Sequence, residues 1–313
     1  MNWKKRIVSL ALAAVIGLST FLASGVEAEA AGAIAKGIDV SKYQGAINWS
    51  AVAAEGYSFA FIKVGSAKSG LDPYFAANMV GANAAGLKTG VYLYSYATTV
   101  EAAMAEAQFT LAAIAPFTVS MPVVFDLEDA VHKTMTPEQL QALTVVFCSI
   151  IQSAGYQPMV YSSKNWLTQR VGPIPFDVWV AQYAEACEYP NPAFWQFSNS
   201  GTVSGIAGRV DLNFQFKDYS NIIIPYGFTT RGGNTYFYNN YRMQYGWVDY
   251  EGNRYFMNAD GTLYTNGWLT DGVNTFYMDT KDGHMLHDLV NIQGKNYYFD
   301  VNGFMQKGFV NIG

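Results

Sequence analysis

From Ala31 to about Lys217 the chain alternates short, continuous apolar runs with longer stretches whose apolar residues recur at helical spacing. The runs Gly37–Val40, Phe59–Val64, Gly90–Tyr96, Pro122–Leu127, Pro158–Tyr161, Val178–Gln182, Phe194–Phe197 and Val210–Phe214 predict strands covered on both faces, since a half-wet strand would alternate apolar and polar residues. Pro73–Ala85 and Val100–Ala115 predict helices between them. A third helix is better delimited: Thr136 is a good N-cap, Pro137 takes the first helical position, Gln139 completes a capping box, and Gly155 follows Ala154 as a stop. Beyond about residue 171 the helical signals fade. Eight strands with helices between the first five predict an α/β fold, a TIM-like β/α barrel that has lost its later helices. Chemistry in such barrels gathers at the C-terminal ends of the strands.

The pattern changes at Tyr226. A small residue followed by a large apolar one recurs at Gly227-Phe228, Gly246-Trp247, Gly267-Trp268, Asp288-Leu289 and Gly308-Phe309, at intervals of about 20 residues. Each unit then carries an aromatic strand: Tyr236-Phe237-Tyr238, Tyr255-Phe256-Met257, Phe276-Tyr277-Met278 and Tyr297-Tyr298-Phe299. Turns such as Asp260-Gly261 and Asn302-Gly303 bracket them. This predicts an all-β hairpin repeat solenoid, because one hairpin cannot bury its aromatics alone. The expected organisation is a barrel over 31–217, a linker over 218–226 and repeats over 227–313.

Composition refines this picture at three points. Residues 1–30 read as a signal peptide: Lys4, Lys5 and Arg6, then an apolar run from Ile7 to Leu22, then small residues at Ala28 and Ala30. A retained anchor is the other reading, although the run is short for a span of ~20 residues. The net charge of −5 leaves no basic stripe for nucleic acid. Cys148, in an apolar helical run, reads as a buried free thiol, with a disulfide to Cys187 as the alternative. No His/Cys/carboxylate spacing suggests a metal site, and no cofactor is expected.

Four acids coincide with strand ends: Asp39 on the first strand, Asp126 and Glu128 on the fourth, and Asp211 on the last. Residues i and i+2 of a strand share a face, with Cα atoms ~6.6 Å apart, so Asp126 and Glu128 would both point into the barrel mouth. Two such charges do not both ionise easily, and one pKa should rise. Glycoside cleavage uses that split, with an acid at the leaving oxygen (Glu128) and an ionised partner for the sugar (Asp126). Each acid taken singly could equally cap a helix or a turn. Tyr92, Tyr94 and Tyr96 alternate on the third strand, and Tyr161, Trp179, Gln182 and Tyr183 lie at later strand ends. Rings there offer flat faces to pyranose sugars and amides bond hydroxyls; core packing is the alternative, foremost for Tyr92 and Trp195.

These stretches resemble a known family. Gly-Ile-Asp-Val-Ser (37–41), Phe-Ile-Lys-Val (61–64), Asp-Pro-Tyr-Phe (72–75), Gly-Val-Tyr-Leu-Tyr (90–94), Asp-Leu-Glu (126–128), Trp-Val-Ala-Gln-Tyr (179–183), Trp-Gln-Phe-Ser (195–198) and Gly-Arg-Val-Asp-Leu-Asn (208–213) resemble, in order, the family 25 glycoside hydrolases, the N-acetylmuramidase type of lysozyme. The resemblance implies an irregular, flattened barrel that cuts the β-1,4 bond between N-acetylmuramic acid and N-acetylglucosamine in peptidoglycan. It implies Glu128 as the acid, Asp126 as helper of the substrate's own 2-acetamido nucleophile, Asp39 and Asp211 as further site acids, and Tyr94 as a site tyrosine. One departure is the run Lys63-Val64-Gly65-Ser66-Ala67-Lys68, where the family usually carries an acid. The tail resembles choline- and glucan-binding repeats, which implies wall-polymer contacts by Trp247, Tyr255, Trp268, Tyr277 and Tyr297. The Trp that usually precedes the Tyr-Tyr pair is replaced by Thr235, Arg254, Thr275 and Asn296, which favours another wall polymer or glucan over choline. The expectation is a secreted, wall-associated lysozyme held on its substrate by its repeats. The alternative is a wall-binding surface protein with an inactive barrel.

Overall fold

The computed structural model describes residues 31–308. The segment read as a signal peptide and the final Phe309 lie outside them. No described helix is long and apolar enough to cross a membrane.

Eight strands close on themselves: β1 (Ala35–Val40), β2 (Phe59–Ser66), β3 (Lys88–Tyr94), β4 (Val123–Asp126), β5 (Pro158–Ser163), β6 (Asp177–Ala181), β7 (Phe194–Gly201) and β8 (Val210–Gln215). β1 to β7 pair in parallel in chain order, and β8 runs antiparallel between β7 and β1. Register breaks in β2 and β7 make the barrel irregular. Helices α1 (Trp49–Ala54), α2 (Phe75–Ala84), α3 (Val100–Ile114) and α4 (Pro137–Ser153) lie between the early strands. The short α1 carries no helical period in the sequence; the Asn48 side chain caps it by accepting from the Ala51 N–H. The capping box at Thr136 and Gln139 forms as the spacing predicts.

Two layers of side chains explain the continuous apolar runs. One face of each strand packs under the helices, as with Ile38, Ile62, Val91 and Phe125. The other face fills the barrel, where Phe59, Phe61, Val124, Met159, Trp179 and Phe194 form an aromatic floor. Glycines admit those rings: a Cβ on Gly37 would stand 2.4 Å from the Phe59 ring, and one on Gly90 2.3 Å from the Phe61 ring. Alternation then carries the same inward face up to Asp39, Tyr94, Asp126 and Tyr161 at the C-terminal ends.

β3 stops at Tyr94 rather than Tyr96. Buried Glu106 on α3 accepts from the Ser95 hydroxyl (2.6 Å) and the Tyr96 N–H (2.8 Å), drawing the backbone off the ladder. The segment read as a linker is also not free. Tyr219 and Ile223 are buried at the base of the barrel, Tyr219 stacks on Phe194, and its hydroxyl donates to Asp177 (2.7 Å). Cys148 and Cys187 are both free thiols, Cys148 fully buried.

Beyond Pro225 the chain forms small β-sheets. A hairpin of Tyr226–Arg231 and Asn234–Asn239 gains a third strand at Arg242–Met243. Hairpins Gly246–Tyr250/Asn253–Met257, Trp268–Thr270/Thr275–Tyr277 and Asp288–Ile292/Lys295–Phe299 follow. The first sheet docks on the C-terminus of α4, adding donors to carbonyls of its last turn and of the residues just past it. Arg242 donates to the Ala154 carbonyl (3.1 Å), the Met243 N–H to that of Gly155 (2.9 Å), and the Tyr245 hydroxyl to that of Gln152 (2.7 Å).

Candidate active site

The four acids converge on a cleft of about 400 Å³ at the C-terminal ends of the strands. Asp39 and Asp211 stand directly across the β1–β8 pair. Asp39 is buried, and one of its oxygens accepts from Gln196 Nε2 (3.0 Å) and Asn213 Nδ2 (2.8 Å). Burial raises its pKa well above the ordinary carboxylate value, and the facing Asp211 raises it further. Asp211 is also raised by burial, while its hydrogen bond with Asp39 acts the other way. Of the two facing acids, Asp39 is the more strongly raised.

Asp126 ends β4, and Glu128 lies just past it. They still face one way because the ladder continues for one residue: the Leu127 N–H donates to the Tyr161 carbonyl (2.9 Å), and the Leu127 carbonyl accepts from the Ser162 hydroxyl (2.6 Å). Leu127 is buried on the helix side. Asp126 is buried, and its Oδ1 has no hydrogen-bond partner among the described residues. A buried acceptor left without a donor costs about 1–3 kcal/mol. Burial raises the Asp126 pKa well above the usual range; the Glu128 charge adds to this, and Lys63 opposes it. Glu128 is exposed at the residue level, and partial burial of its carboxyl raises its pKa, with Lys63 pulling down and Asp211 and Asp129 pushing up. Glu128 lines both the acid cleft and a neighbouring groove of about 460 Å³ that contains Gln182 and Tyr183. An extended chain lying along the two would cross Glu128.

Tyr94 lines the cleft and donates from its hydroxyl to Asp129 (3.1 Å); burial, then the Glu128 charge, raises its pKa. The Tyr161 and Tyr183 hydroxyls both donate to Gln196 Oε1 (2.9 Å each), and Gln196 passes the chain on to Asp39. Trp179 Nε1 donates to Asn213 Oδ1 (2.8 Å), which does the same. Trp179 is fully buried and stacked on Phe61, so it forms the floor of the cleft rather than a free platform. Tyr183 is 56% exposed and Tyr43 79% exposed, and both line the cleft with rings available to a ligand. Tyr92 packs on the barrel core and also reaches the cleft.

Four contributors were not singled out from sequence: Gln196, Asn213, Lys63 and Tyr43. The first three are polar residues on otherwise apolar strands, a signal present in the sequence but silent about partners. Tyr43 sits in a 3-10 turn (Lys42–Gln44) closed by a Ser41/Gln44 capping box.

The five repeat aromatics divide. Trp268, 38% exposed, meets Tyr277 of its own hairpin and Tyr297 of the next, each 4.9 Å away between centroids. Trp247 and Tyr255 instead fill seams, against Phe276 and Phe228 of adjacent hairpins. No metal-ligand spacing stands out in the sequence, yet one turn beyond Pro225 brings ligand atoms of Asp279, Asp282 and His284 within 4.8 Å of one another. All three already hydrogen-bond within that turn, the aspartates to its N–H groups and His284 to Asp282.

A family model described as glycosyl hydrolases family 25 matches residues 38–206, over half of the chain. Lysozyme M1 of Streptomyces globisporus is 29% identical over 198 residues, covering 57% of this chain, which spans 66% of that protein's length. Among solved structures, the bacterial lysozyme of Streptomyces coelicolor is 26% identical with a TM-score of 0.50, covering 59% of this chain and 93% of that one. The modular autolysin LytC of Streptococcus pneumoniae, solved with a synthetic peptidoglycan ligand, is 29% identical with a TM-score of 0.52, covering 57% and 46%.

Proposed function

The chain belongs to glycosyl hydrolase family 25, and from that premise we propose that it is a secreted lysozyme cutting the β-1,4 bond between N-acetylmuramic acid and N-acetylglucosamine. The observation that carries this reading is the buried Asp126 Oδ1 without a donor, beside Glu128 at the crossing of two grooves. A muramic acid 2-acetamido N–H fits that vacancy in chemistry. Its carbonyl oxygen then attacks the anomeric carbon while Glu128 protonates the departing glycosidic oxygen, a substrate-assisted course. Water opens the resulting ring and returns a proton to Glu128.

In the unliganded site Asp126 is the more strongly raised acid, whereas the reaction needs Asp126 ionised and Glu128 protonated. Substrate supplies the change: an N–H donated to Asp126 favours its charged form, and that charge raises Glu128 in turn. Asp39, fixed by Gln196 and Asn213, and Asp211 opposite it complete an acidic wall suited to a cationic sugar ring. Tyr183 and Tyr43 offer stacking faces. The hairpins continue as one repeat solenoid that holds wall polymer or glucan, raising the local concentration of substrate.

Mass spectrometry of products from purified peptidoglycan tests the assignment. New reducing muramic acid ends are expected, with turnover reduced ~10²–10⁴-fold in Glu128→Gln and poor cleavage of de-N-acetylated glycan. Free peptides without new reducing ends, or normal turnover by a folded Glu128→Gln, would refute it.

A further inference from the structure

A smaller cavity of about 250 Å³ opens beside the acid cleft and shares Tyr43, Lys63, Tyr94 and Tyr96 with it. One wall is a tight hairpin in which Gly65–Ser66 pair with Gly70–Leu71. That hairpin is well tied: the Ser66 and Ser69 hydroxyls lie 2.7 Å apart, and the Ser69 N–H donates to Ser66 Oγ (3.0 Å).

Lys42 and Lys63 line this cavity, and Lys68 lies beside it over the ring of the lining Tyr96, so that three ammonium groups each face a ring. Lys42 Nζ lies 5.4 Å from the Tyr43 centroid, Lys63 4.5 Å from that of Tyr94, and Lys68 4.7 Å from that of Tyr96. None of the three makes an ion pair within the described residues. Asp72, the acid among the lining residues, is directed at the N–H groups of Lys42 (2.8 Å) and Tyr74 (2.9 Å) rather than at an ammonium group, and Lys63 faces the charges of Asp126 and Glu128. Rings orient ammonium groups weakly, by about 0.5–1 kcal/mol at exposed sites, and do not neutralise them. Lys42 and Lys68 therefore present positive charge beside this cavity without an ion-pair partner among the described residues.

We propose that this pocket is an anion subsite that takes a carboxylate of the peptide stem carried by the substrate's muramic acid. It rests on the glycan-cleaving reading above. The muramic ring held in the acid cleft carries its stem on the lactyl ether at O3. Its carboxylates are tethered to the bound sugar, which gives them a high effective concentration at an adjoining pocket. Anionic wall polymers offer a phosphate of similar charge, but on a separate chain without that tether.

The test measures kcat/KM of the full chain on peptidoglycan freed of phosphate polymers by hydrofluoric acid, with stems intact and after stripping by an amidase. The parent should prefer the stem-bearing glycan about tenfold, mainly through KM. Lys42→Gln/Lys68→Gln should bring that ratio close to one, and about 0.5 M NaCl should act in the same direction by screening. Both lysines are exposed; should the double variant fail to fold, Lys68→Gln alone should remove about half of the preference on a logarithmic scale. A parent ratio near one, or a ratio that survives in the variants, overturns the subsite and leaves the glycosidase reading standing. A lysine-dependent preference seen only before the acid treatment assigns the pocket to polymer phosphate and overturns the stem assignment. Release of no reducing ends from either glycan removes both readings.

Discussion

Asp39 is buried, with two amide donors on one oxygen, which favour its charge, and a carboxyl neighbour, Asp211, across the strand pair, which together with burial outweighs them. Because burial and Asp211 raise its pKa, the folded chain binds its proton more tightly than the unfolded chain does. The stability it contributes is therefore fully present below the ordinary value of 3.8 and is lost as pH climbs from there through the raised folded value. An amide reproduces the same bonding without a charge to bury. Asp39→Asn should melt with the parent near pH 3 and above it at pH 7, with the gap widening over the interval; parallel melting curves across that range would contradict this. Activity should fall in the same variant if the acidic wall supports the sugar cation. The strand-end acids were legible from sequence because carboxylates stand out on apolar strands. Gln196 and Asn213 stand out as well, but their role depends on Asp39, 157 and 174 residues away, and no local pattern conveys that.

At the scale of elements, the continuous apolar runs identified all eight barrel strands, since each is covered by helices or loops outside and by aromatics inside. Their ends were less legible. β3 stops two residues early because Glu106, on another element, takes the Tyr96 N–H. Glycines mark where strands must admit a neighbour's ring. Gly90→Ala would put a methyl 2.3 Å from Phe61 and 2.8 Å from the Pro122 carbonyl oxygen, and overpacking of this kind costs about 1–3 kcal/mol. Denaturant titration should show that loss without a change in slope. A neutral result would mean that the floor of Phe61, Trp179 and Phe194 can shift. The same floor supports the cleft through Trp179 and Tyr161, so kcat/KM should fall along with stability.

Across the whole molecule, the small β-sheets beyond Pro225 attach at the end of the barrel remote from the acids. Gln152–Gly155, which receive Arg242, Met243 and Tyr245, lie just before β5 begins, whereas the acids lie where strands end. A polymer on those hairpins, as proposed, would leave the cleft mouth open. Successive hairpins are joined by backbone bonds, such as the Leu263 N–H to the Thr235 carbonyl (2.8 Å) and the Met285 N–H to the Arg254 carbonyl (2.7 Å), and by rings shared across seams. Trp268, at such a seam and still exposed, is the strongest candidate for polymer contact. Trp268→Ala should weaken retention on sedimented cell wall roughly fivefold or more; unchanged retention would move the contact elsewhere on the repeats.

The sequence by itself determined the alternation of strands and helices, the change to aromatic repeats at Tyr226, the cap of α4 and the four acids, because each is written in residues close together in the chain. The tertiary structure decided the rest. It set the linker tyrosine Tyr219 into the barrel base, left Asp126 Oδ1 without a donor among the described residues, and brought Lys42 and Lys63 to one pocket with Lys68 beside it. Each of these depends on which residues a closed barrel places face to face, and that is set by long-range packing rather than by any local period.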